Sequence, residues 1–239
     1  MSELMMEFPE IALQDIEAKA QTLIEQYEDK MGVRVRAPVP VESIAEHLLG
    51  YRIDITDEGL FEDPRYLGGI VFDDNVIRVN ASVESHEGRY NFTIAHEIGH
   101  HILHRDHYLA AREAETPSIM CREVSAKPLV ERQADQFASA LLMPAEEVRK
   151  AIHKLNEPTG ETSVRALRAL AGKVCTAGGF SNVSNTAMCN RLITLGYARG
   201  VDFQTGTGLD LMRSAQARGF SGIDAWFYSY IRKLRRLFG

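Results

Sequence analysis

A chain of 239 residues with 45% hydrophobic and 25% charged residues can bury a sizeable core, as one large domain or as one domain with a smaller partner. A formal net charge of −6 and a pI near 5.8 exclude whole-chain attraction to nucleic acid or to an anionic membrane surface. Three cysteines, Cys121, Cys175 and Cys189, are an odd number without CxxC spacing, which excludes both a disulfide framework and a cysteine-built zinc cluster.

The first residues, MSELMMEFPEIALQDIEAK, are acidic and lack the basic start and apolar stretch of a signal peptide. No segment approaches the roughly 18 apolar residues needed to span a bilayer. Together with the cysteine usage, this makes a cytoplasmic protein the expectation. Residues 10–31 read as an amphipathic helix, with Ile16, Ala20, Leu23, Ile24 and Tyr27 recurring at spacings of three and four. Pro38 and Pro40 interrupt the chain, and residues 41–50 read as a short helix ended by Gly50. Tyr51–Ile55 alternates like a half-buried strand. Leu67–Phe72 and Val76–Asn80 are two further strands joined by a turn at Asp73-Asp74-Asn75.

A helix is then expected over Asn91–His104, a long loop over 105–128, and a second strong helix over 129–142, stopped by Pro144. Asn156–Gly160 reads as a linker. Beyond it, residues 160–200 hold five Lys/Arg against the single acid Glu161, so the segment is locally +4 in an acidic chain. Its pattern is helix, turn at Gly178-Gly179, helix. A last helix is expected at about 222–237, carrying the basic run Arg232–Arg236, which reads as a solvated helix face with cations near a C-terminus.

The chemistry is concentrated at His96-Glu97-Ile98-Gly99-His100. On a helix, positions i and i+4 lie on one face about 6 Å apart along the axis, so two imidazoles can converge on one Zn²⁺ at about 2.0–2.1 Å. Glu97 projects about 100° away and can reach water activated by such an ion, the position of a general base. Phe92, Thr93, Ile94, Ala95, Ile102 and Leu103 mark the helix as mostly buried, and polar groups on a buried helix need a partner that repays their desolvation.

The third ligand discriminates among metal sites. The pattern HExxHxxGxxH would need Gly at 103 and His at 106, where Leu103 and Asp106 stand. His104 reads as a packed histidine behind the ligands rather than as a ligand. Glu131 and Asp135 on the second helix are again i and i+4. Alone they would pass for a solvated acidic pair. Beside His96 and His100 they read as a ligand, Glu131, and a carboxylate, Asp135, that accepts the other ring N–H of a ligand histidine. His104, His107, Tyr108 and His153 are candidate donors to a developing oxyanion. Gly68-Gly69 in the first hairpin strand permits close approach of an extended peptide, with Gly69 a possible substrate contact. The loop at 105–128 could wall the cleft.

FTIAHEIGHHILH (92–104) followed by ERQADQFASALLMP (131–144) resembles the ImmA/IrrE family of metallo-endopeptidases. PVPVESIAEHLLGYRI (38–53) looks like its lead-in, and FSNVSNTAMCNRLITLGY (180–197) looks like the segment that follows its catalytic domain. The resemblance implies an α+β fold with three parts. Residues 1–155 form a zincin-like metallopeptidase domain, its HExxH helix and Glu-bearing helix set against a small antiparallel sheet. Residues 156–200 form a helix-turn-helix-like segment, and 201–239 a C-terminal helical extension. It further implies one catalytic Zn²⁺ on His96, His100 and Glu131, Glu97 as catalytic residue, and a protein substrate, typically a helix-turn-helix repressor of mobile-element or stress genes in bacteria or phages. The chain departs from the family pattern at Cys175–Gly179, which is longer than the usual helix-turn-helix spacing. It departs again after residue 200, where little room remains for a sensor domain.

Two other classes of function compete. A DNA-binding regulator would use the basic segment, but a reading helix over Ser184–Leu195 offers only Asn185, Asn190 and Arg191. A toxin–antitoxin-type interaction protein with a structural metal would have no use for Glu97.

Overall fold

The computed structural model describes residues 8–63, 66–113, 127–156 and 160–202. Helix α1 (Leu13–Met31) buries Ile16, Ala20, Leu23, Ile24 and Tyr27, the stripe expected from the sequence. It stops at Gly32, whose left-handed backbone (φ 66°) returns an N–H to the Glu28 carbonyl. After the prolines, α2 begins as Val41–Ser43 and widens into a π turn over Ile44–Leu48, burying Val41, Ile44 and Ala45.

Three strands follow: β1 (Arg52–Thr56), β2 (Gly68–Val71) and β3 (Val76–Asn80). The expected hairpin forms, with β2 antiparallel to β3 and Ile70 opposite Ile77. The sheet as a whole is mixed rather than antiparallel, because β1 pairs with β3 in parallel and the order is β1-β3-β2. The reason lies in β3, where Val76, Ile77, Val79 and Asn80 are all buried, and a strand covered on both faces belongs in the middle. The fully buried Asn80 (1% exposed) ties the sheet to the preceding loop. Its amide donates to the carbonyls of Phe61 and Tyr66, both at 2.8 Å, while its oxygen caps the short helix α3 (Ala81–Glu84) at the Ser82 N–H.

The helix expected over Asn91–His104 is longer than its motif. It runs as α4 from Glu87 to Glu113, 27 residues or about 40 Å. The loop expected over 105–128 is thereby corrected: residues 105–113 continue the helix, since Leu103, His104 and Tyr108 keep its inner face packed. Residues 114–126 lie outside the described residues. Helix α5 (Lys127–Leu142) packs along α4, burying Val130, Ala134, Phe137, Ala138, Leu141 and Leu142. The two helices can come this close because Gly99 lies at their crossing. A Cβ there would stand 3.1 Å from both the Cα and the carbonyl oxygen of Ala134.

Pro144 precedes α6 (Ala145–Leu155). The expected linker gives way at Gly160 to a strand, β4 (Gly160–Ser163), which pairs in parallel with β5 (Ala198–Asp202). Between them lie α7 (Val164–Gly178) and α8 (Asn185–Thr194), capped by Ser163 and Ser184 through the N–H groups of Ala166 and Ala187. Gly179 makes the turn at φ 76°. Leu167, Val174, Phe180, Met188 and Leu192 join one continuous hydrophobic cluster with α1, α5 and the sheet. The expected helix at 222–237, its basic run and Cys121 lie outside the described residues.

Candidate metal centre

Docking α4 onto α5 at Gly99 brings His96 and His100 on the first helix against Glu131 on the second. The two imidazole Nε2 atoms are 3.0 Å apart. Glu131 places Oε2 at 3.2 Å from His96 Nε2 and Oε1 at 3.7 Å from His100 Nε2. All three residues offer ligand atoms within 4.8 Å of one another. Four ligands around zinc at about 2.0–2.1 Å stand roughly 3.3 Å apart at the corners of a tetrahedron, so this donor set fits one such ion. Imidazole nitrogens that face each other across 3.0 Å need either a hydrogen or a metal ion between them.

The surrounding electrostatics follow from burial. For His96 (9% exposed), burial works against charge, but Asp135 and Glu131 outweigh it and hold the metal-free imidazole well above its usual pKa. Burial would raise Glu131, yet the opposing pull of His100 and His96 keeps its carboxyl well below the carboxylate range. Glu97 (6% exposed) is raised, by burial first, against the attraction of His96 and His100. A carboxyl held upward in this way is suited to carry a proton in both directions.

Asp135, also buried, accepts from His96 Nδ1 at 2.9 Å. His104 packs behind His100, their Nδ1 atoms 3.1 Å apart, and its other nitrogen meets Gln133 Oε1 at 2.9 Å. Burial pushes its pKa down to about 3, so its ring is neutral. Of the other candidate oxyanion donors, His107 meets Phe8 in a T-shaped ring contact, Tyr108 packs on Phe72, and His153 is exposed on α6. Gly69 pairs with Arg78 in the hairpin. Its neighbour Gly68 makes the closer approach to the site. A Cβ there would overlap the Thr93 methyl and stand 3.1 Å from Glu97 Oε1, so β2 lies directly on the Glu97 side of α4.

Gln133 is the residue that the motif reading passed over. It sits between Glu131 and Asp135, and being uncharged it signals no chemistry by its type alone. Asn190 and Arg191, which the sequence offered as base readers, face inward at 8% and 1% exposure. Arg191 donates to the Met143 carbonyl at 2.8 Å and makes a two-pronged pair with Glu17 of α1. Asn185 donates to the Arg168 carbonyl.

Two histidines and a glutamate on packed helices beside a small sheet define a metallopeptidase-like domain. The family model Peptidase_M78, described as an IrrE N-terminal-like domain, matches residues 28–167, more than half of the chain. The chain belongs to this ImmA/IrrE-type peptidase family. No curated protein matches it. Among solved structures, a Mycobacterium tuberculosis transcriptional regulator is similar at 17% identity with a TM-score of 0.47, over 75% of this chain and 46% of that one. Among the described residues no helix is long and apolar enough to cross a membrane.

Proposed function

We propose that this chain is a zinc-dependent endopeptidase in which His96, His100 and Glu131 hold the ion and Glu97 is the general base. The observation that carries the reading is the convergence of three donor atoms at tetrahedral spacing with a buried carboxyl one residue along the same helix. When bound, zinc supplies Lewis acidity towards a peptide carbonyl and towards water. Glu97 takes a proton from the attacking water and returns it to the leaving amine. Asp135 holds the His96 ring through Nδ1, leaving Nε2 free for the ion. Strand β2 forms one edge of its sheet and abuts Glu97, a place where an extended substrate could add as a further strand.

The substrate we infer is a helix-turn-helix repressor whose cleavage releases mobile-element or stress genes. This part rests on family membership. The inward-facing Asn190 and Arg191 remove support from direct DNA reading by α8. Incubating the purified chain with the helix-turn-helix protein of the neighbouring gene, followed by mass spectrometry, should give one discrete cut. Glu97→Gln should retain zinc and lose that cut, by about a thousandfold or more if the carboxyl is the base. Wild-type turnover in the variant would refute the assignment.

A further inference from the structure

The contacts behind His100 form a directed chain. Gln133 Nε2 donates to the carbonyl of Pro9 at 3.0 Å, and a carbonyl can only accept. The amide oxygen of Gln133 is therefore the atom turned to His104 Nε2, at 2.9 Å, and that nitrogen must carry the hydrogen. Two ring nitrogens 3.1 Å apart share one hydrogen, and His104, already carrying its hydrogen on Nε2, presents a bare Nδ1 to that contact. It faces His100 Nδ1 at 3.1 Å, so His100 carries its hydrogen there. What remains on His100 is a bare Nε2, the atom aimed at Glu131 and His96.

Each link takes its direction from the one before, and the chain ends outside the two metal helices, on the segment preceding α1. That segment is attached by three consecutive residues. Phe8 makes T-shaped ring contacts with His104 (5.6 Å between centroids) and His107 (6.1 Å), Pro9 accepts from Gln133, and Glu10 lies 3.5 Å from Arg132. Reversing the Gln133 amide would reverse every link. It would place two oxygens face to face at Pro9 and a hydrogen on His100 Nε2, where the metal must bind.

We propose that Gln133, held by the Pro9 carbonyl, is a positioning residue that selects the metal-binding tautomer of His100. The proposal rests on the metal reading of His96, His100 and Glu131, and adds to it a requirement for the Phe8–Glu10 segment. Gln133 and that segment act through His104 and stand outside the donor set of His96, His100 and Glu131.

Two measurements on the full-length chain with zinc alone test it. In the zinc-loaded wild type, long-range ¹H–¹⁵N NMR of the imidazoles should show the His104 hydrogen on Nε2 and the His100 hydrogen on Nδ1. A hydrogen on His104 Nδ1 overturns the proposal without recourse to any variant. Zinc affinity measured by chelator competition should then respond to loss of the acceptor that faces His104. Gln133→Leu offers none and should bind zinc about 10–100-fold more weakly. Wild-type affinity in Gln133→Leu overturns the proposal and leaves the metal site standing. Absence of zinc binding by the wild type overturns the metal reading, and this proposal with it.

Discussion

At the residue scale, a metal entering the proposed site would have to displace a proton. His96 sits above its ordinary pKa because Asp135 and Glu131 overcome its burial. A ligand imidazole must be deprotonated, so loading the ion releases that proton, and affinity must fall as pH falls. Below the raised pKa of His96, zinc affinity should change by about tenfold per pH unit for one displaced proton, increasing with pH and levelling off once the free site has lost it. Chelator competition across a pH series reads this directly, and an affinity flat through the neutral range would contradict the pairing. Much of this site was legible in the sequence, because i, i+4 spacing on two helices states which residues share a face. His96, His100, Glu131 and Asp135 stand together as that spacing implies. Gln133 was not legible. Its importance comes from one hydrogen bond to a residue 124 positions away, and local spacing carries no trace of such a contact.

At the scale of elements, the centre depends on how closely two helices cross. Gly99 leaves the room, with Ala134 Cα and O and Phe137 Cβ all within 3.3 Å of where a side chain would begin. The Ala134 atoms are backbone and cannot swing aside, so Gly99→Val must part α4 from α5 and carry Glu131 away from the imidazoles. The variant should lose about tenfold or more in zinc affinity along with thermal stability. Wild-type affinity would show that the crossing does not set the ligand distances. The helices themselves were readable from periodicity, but their ends and the sheet order were not. Residues 105–113 look polar in sequence, yet helix α4 continues through them because one side stays packed. Strand β1 precedes the hairpin in sequence, and the expectation there is a small antiparallel sheet. The sheet instead inserts β3 between β1 and β2, a choice made by which strand is buried on both faces.

At the scale of the whole molecule, residues 160–202 share a core with the half that carries His96, His100 and Glu131. Arg191 of α8 is a buried polar tie, joining the Met143 carbonyl at the end of α5 and the Glu17 carboxylate of α1. Its side chain is 1% exposed and that of Glu17 is 25% exposed, so the pair is largely shielded from water and salt. Arg191→Ala would leave the carbonyl and the carboxylate without their donor, at a cost of about 2–4 kcal/mol in denaturant unfolding. A loss below about 0.5 kcal/mol would mean that α8 is held by its apolar face alone. The sequence pattern marked this segment by charge, as a basic stretch in an acidic chain. Arg191 spends its charge inside the molecule, a distinction that composition cannot make.

The central claim is that two helices assemble one metal site, and metal stoichiometry tests it most directly. Elemental analysis of the purified chain should find about one zinc per molecule, falling to background in both His100→Ala and Glu131→Ala. Undiminished zinc in either variant, or none in the wild type, would contradict the account.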